Sequence, residues 1–233
     1  SGAGPENSRC FPGAGAPGRE AQPVDRERRG VPGARVHRGR LRQRVGHLRG
    51  GGAGDRRAAE GHRISSKRTE KVFKTDHSSA MAVAGVAGLC LDMAKLFRTE
   101  LEHYEKIEGA QLVLQGKANK LAHMIKQNFP AALQGLIVVP IFVGYDPKLR
   151  KGRIFKYDVI GGIYEEEGYY ATGSGGKDAR NTIKKLYQAD LDEEAALKLA
   201  LEALYDAAEE DAATAGPDTM HNIYPSIKTV TAQ

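Results

Sequence analysis

Along residues 1–50 no apolar spacing of two or of 3.6 persists over a useful length. From about residue 51 the pattern changes. Lys71 to Lys74 and Ala80 to Ala84 read as strands. Val86 to Ile107 reads as a helix, with Met93, Phe97, Leu101 and Tyr104 recurring on one face. Leu114 to Leu133 predicts a second helix, disturbed at Pro130, which has no backbone donor. Leu136 to Val143 is a continuous apolar run, the pattern of a strand buried on both faces. Gly152 to Ile160 and Tyr164 to Thr172 read as further strands, and Ala179 to Gln188 as a short helix. Asp190 is placed to cap a long helix, with Glu193 completing a capping box. That helix sets Leu197, Leu201, Leu204 and Ala208 on one face, and Gly216-Pro217 stops it. Ile223 to Val230 reads as a last strand. The order is strands, two helices, strands, two helices, strand. Periodicity alone allows α+β or α/β and does not choose between them.

Composition matters once it is located along the chain. The 233 residues are 40% hydrophobic, enough for one domain with a sizeable core. The longest apolar run, Leu136 to Val143, contains Pro140 and is too short to span a bilayer, and the start of the chain shows no apolar signal-peptide region. A cytoplasmic protein is therefore expected. The net charge is +6 overall. Residues 1–50 hold eleven Arg, no Lys and four acids, a net of +7; the remainder holds 24 bases against 25 acids. All the basicity sits in the first fifty residues, so the charge says nothing about the folded body. Three readings of that Arg/Gly/Pro-rich segment stay open: a disordered basic tail for an acidic partner, a propeptide, or an out-of-frame translation of GC-rich DNA. The exclusive use of Arg fits the third. The chain divides accordingly into this segment, 1–50, and a folded domain, 51–233.

Cys10 and Cys90 match no metal spacing or redox pair and read as free thiols. The seven histidines form no metal motif. Ala171 to Asp178 is a near miss for a phosphate loop, because Ala171 replaces the first glycine and Asp178 the magnesium-binding hydroxyl. Ser174 is not in a nucleophile elbow, since Thr172 stands where a glycine is needed. No metal or cofactor is expected.

Several stretches resemble the β subunits of actinobacterial 20S proteasomes. They are Gly54-Asp55-Arg56-Arg57, Glu70-Lys71-Val72-Phe73, Glu100 to Lys106, Met124 to Gly135, Gly144-Tyr145-Asp146, Ala171 to Gly175, Leu204 to Ala208 and Asp211 to Asp218. Jointly they are specific, and they cover roughly 51 to 229. The resemblance implies a four-layer αββα sandwich of the N-terminal-nucleophile hydrolase type, an α+β fold. It implies stacked seven-membered rings of β subunits between α rings, a regulatory ATPase acting through the α rings, and unfolded protein substrates. It implies no nucleic-acid or membrane partner. The chemistry implied is peptide hydrolysis by a threonine freed at the N-terminus by self-cleavage, its α-amine acting as base. A lysine cation holds down the amine's pKa and a backbone N–H stabilises the oxyanion.

Carried over by position, Lys71 matches that lysine and Asp55, sixteen residues before it, the acid that holds it. Gly85 matches the oxyanion glycine, Ser174 and Asp211 the pair supporting the threonine, and Thr214 a position beside that pair. The nucleophile itself is absent. The family spacing places it near Gly39, where Arg38-Gly39-Arg40-Leu41 offers no Thr, Ser or Cys. The first strands of the family are replaced by Val36 to Gly52, and the chain stops at Gln233, before the family's final strand and C-terminal helix. Three functional classes follow: a threonine endopeptidase subunit with an altered N-terminus, a non-catalytic ring or assembly subunit, and a salt-sensitive nucleic-acid binder using the basic tail. Without the first strands, buried ladder groups lose partners at about 1–3 kcal/mol each, so poor folding or aggregation of this chain is expected.

Overall fold

Residues 51–60 and 63–230 are described by the computed structural model of the chain. The expected nucleophile position near Gly39, Cys10 and the whole basic segment lie outside the described residues. In chain order the elements are β1 (Gly51–Gly54), β2 (Ala58–Glu60), β3 (Arg63–Ser66), β4 (Val72–Lys74), β5 (Ser79–Gly85), α1 (Ala87–Glu108), α2 (Leu114–Gln127) and α3 (Phe129–Ala132). They continue with β6 (Val138–Asp146), β7 (Lys151–Tyr157), β8 (Ile163–Glu166), α4 (Gly176–Leu186), α5 (Glu193–Glu210) and β9 (Ser226–Thr229). All belong to one unit, Arg44–Gln233.

Strands β4 to β8 form an antiparallel five-stranded meander in sequence order. Side chains alternate across a strand, and here the two sets go to different neighbours. Met81, Val83, Val138, Phe142, Phe155 and Tyr157 pack with the buried stripe of α1 and α2 in the largest core. Phe97 meets Phe142 edge-on at 5.6 Å between ring centroids, a favoured aromatic geometry. The Tyr157 hydroxyl donates to the Ala118 carbonyl at 3.1 Å, so its polar tip is satisfied in that core. The opposite set, Ala80, Ile141 and Val143 with Ala82 and Ile154, forms a second cluster on the other face of the sheet. The apolar run through β6 is thus buried on both sides, as its lack of alternation requires.

A third cluster joins Ala179 of α4 to Ala203 and Ala207 of α5. Between it and the meander lies the pair β1–β9, antiparallel from Gly51↔Thr229 to Gly54↔Ser226. β1 touches both β5 and α5. The layers run α1/α2, five-stranded sheet, β1–β9, α4/α5, which is the αββα order of an α+β sandwich. Among the described residues the second sheet consists of these two four-residue strands. No helix among the described residues is long and apolar enough to cross a membrane.

Several local expectations need correction. The helix expected over Leu114 to Leu133 is two helices: α2 ends at Gln127, and Pro130 sits in the first turn of α3, where its missing N–H costs nothing. The stripe on α1 holds at Met93, Phe97 and Leu101, whereas Tyr104 is 38% exposed. The cap of α5 is Asp192 and not Asp190: its side chain accepts from the Ala195 N–H at 2.8 Å. The buried face of α5 is Leu199, Ala203 and Ala207, because small residues allow close approach to α4; Leu201 is exposed. β7 ends at Tyr157, where the Asp158 carboxylate captures the N–H groups of Ile160 and Gly162 and turns the chain. β8 stops at Glu166 and not at Thr172.

One buried ion pair ties the turn of the β4–β5 hairpin to α2. The Lys117 side chain, 4% exposed, places Nζ 2.6 Å from Asp76 Oδ2 and donates to Ser78 Oγ at 3.1 Å. Asp76 Oδ1 also accepts from the Ser78 N–H and the Ser79 hydroxyl. Burial works to raise the Asp76 pKa, but the Lys117 ammonium and these donors outweigh it and hold the carboxyl below its ordinary range. Lys117→Met strands the buried carboxylate and is expected to cost about 3–5 kcal/mol, with Asp76→Asn in the same chain recovering much of it. Chemical denaturation of the single and double variants checks this. Because the folded-state pKa of Asp76 is depressed, its stabilisation is present above the unfolded value of about 3.9 and is lost as pH falls through the folded value. The difference in melting temperature between the native chain and Asp76→Asn is expected to be constant from pH 7 to 5 and to shrink below pH 4.

Candidate active site

β1 delivers Asp55 and β4 begins one residue after Lys71, so the packing of β1 against the hairpin brings the two together. Lys71 Nζ lies 2.6 Å from Asp55 Oδ1. Asp55 is 8% exposed. Its second oxygen, Oδ2, accepts from the backbone N–H of Arg57 at 3.0 Å and of Ala215 at 3.2 Å. A carboxylate so deeply placed is tolerable because each oxygen has a donor and one donor is a cation.

Ala215 closes the loop that follows α5, and the same loop carries the second group of expected residues. Asp211 is the residue that terminates α5, its N–H still bonded to the Ala207 carbonyl. Thr214 donates its hydroxyl to Asp211 Oδ2 at 2.5 Å, and the Ala213 N–H donates to Oδ1 at 3.1 Å. The Ser174 side chain also acts on this carboxylate and favours its charged form. Partial burial pushes the Asp211 pKa up, but Ser174, Thr214, the Ala213 N–H and the Lys71 charge together bring it below the ordinary value. The turn bearing Ser174 reaches this place through Gly175, where a Cβ would stand 2.7 Å from Thr214 Oγ1 and 3.1 Å from the Ala207 methyl.

Gly85 ends β5 with φ +127°, and a Cβ there would fall 2.1 Å from the Ile137 carbonyl oxygen. Only glycine fits. The next N–H, that of Val86, donates to the same carbonyl at 3.0 Å. Along β5 the Val83 N–H bonds the Lys71 carbonyl, so the strand that carries Gly85 is the one beside the lysine.

The structure therefore gathers Asp55 with Lys71, and Ser174 with Asp211 and Thr214, and it joins the two groups. The Ala215–Asp55 bond makes one link. The Arg57 guanidinium makes another, donating to the Ala212 carbonyl at 2.7 Å. The sequence showed Arg57 as part of a motif but gave it no task; nothing in its spacing points to a carbonyl 155 residues away. Cys90, on the first turn of α1, is a buried free thiol whose pKa burial raises to about 11, with the Lys71 charge opposing. It stays protonated at neutral pH and serves as a small apolar side chain.

The site opens on a cavity of about 950 Å³ between the second face of the meander and α4/α5. Its walls include Ala82, Ile141 and Val143 on one side and Ala200, Ala203 and Leu204 on the other.

The proteasome subunit family matches residues 53–222 of this chain. A proteasome subunit beta of Streptomyces griseus is 58% identical over 179 residues, which are 77% of this chain and 64% of that protein. The proteasome subunit beta of Acidimicrobium ferrooxidans is 53% identical, covering 76% of this chain and 65% of the relative. That of Rhodococcus jostii is 54% identical, covering 77% and 63%. The chain thus spans a little under two thirds of the length of these relatives. With a family match over residues 53–222, most of the described domain, the chain belongs to the proteasome subunit family, and the relatives it matches at more than half identity are β subunits.

Proposed function

We propose that this chain is a proteasome β subunit whose described domain holds the machinery of a threonine-type endopeptidase without its nucleophile. The Lys71–Asp55 pair at 2.6 Å carries the reading. A cation fixed by a buried acid is what a threonine α-amine needs beside it to stay partly neutral and accept the hydroxyl proton. Asp211, kept ionised and held by Ser174 and Thr214, supplies an acceptor for that amine, and Gly85 supplies a backbone donor for the oxyanion. In this reading the Asp55 carboxylate and Arg57 position the Asp211 loop and touch no substrate.

The partners proposed are proteasome α subunits, other β subunits in stacked rings and, through the α rings, a regulatory ATPase feeding unfolded proteins. The compartment proposed is the cytoplasm. A second reading, a non-catalytic ring or assembly subunit, is favoured by one observation: Arg38-Gly39-Arg40-Leu41 contains no residue able to act as nucleophile.

The two readings separate on a fluorogenic peptide. The chain with the present sequence is expected to show no hydrolysis sensitive to threonine-directed inhibitors; robust activity sinks the non-catalytic reading. Resequencing the DNA upstream of the Asp55 codon decides whether a one-base slip restores an alternating strand that begins with threonine. If it does, the restored chain is expected to hydrolyse the peptide, and Lys71→Ala in it to lower kcat by about 10²–10⁴-fold. A restored chain that is inactive, or indifferent to Lys71→Ala, overturns the endopeptidase reading.

A further inference from the structure

We draw no further inference here: the strongest candidate, the exposed basic stripe Lys177, Arg180 and Lys184 along α4, is a surface patch for which nothing among the described residues shows what covers it.

Discussion

The site depends on the burial of one carboxylate. Asp55 receives donors at three very different separations in the chain: the amide of Arg57 two residues on, the ammonium of Lys71 16 residues on, and the amide of Ala215 160 residues away. An unpaired carboxylate at 8% exposure is costly, and each donor offsets part of that cost. The three segments are therefore held in one arrangement. Lys71 has a fixed direction because Asp55 is fixed, and the loop carrying Asp211 and Thr214 is fixed because Ala215 and Ala212 are tied to the same corner.

The α1/α2 half of the fold was legible because its signals are local. The stripe Met93, Phe97, Leu101 on α1 and the two-sided apolar run of β6 depend on sequence neighbours alone, and both appear as expected. The α4/α5 half was less so. The leucines of α5 suggested a face that the helix does not bury, since alanines at 203 and 207 pack against α4 and the leucines at 197 and 204 border the cavity. Periodicity reports amphipathicity; which side is covered depends on the neighbouring layer, which among the described residues holds only the short strands β1 and β9. Asp192 rather than Asp190 caps α5 for a similar reason: both precede an acidic first turn, and only the backbone path selects between them.

The candidate site divides in the same way. Asp55, Lys71, Gly85, Ser174, Asp211 and Thr214 were singled out by position through the resemblance, and the structure brings Asp55 to Lys71 and Thr214 to Asp211, with the Ala215–Asp55 bond linking the two pairs. Arg57 was visible only as one of two adjacent arginines, because its partner is a backbone carbonyl, which has no sequence signature. The charge of the basic first segment misdirects any reading of the whole chain, since the domain itself is almost neutral.

The hairpin β4–β5 has a further consequence. One end is Lys71, pinned to Asp55; the other is the turn at Asp76, pinned to Lys117 of α2. Between these anchors the two strands share a continuous ladder from Val72↔Ala82 to Lys74↔Ala80, and β5 is laddered along its whole length to β6. The hairpin is a short stiff beam clamped at both ends. A load applied to α2 reaches the lysine through backbone geometry, without a chain of rotamer changes, so the outer helical layer and the lysine corner are mechanically one part.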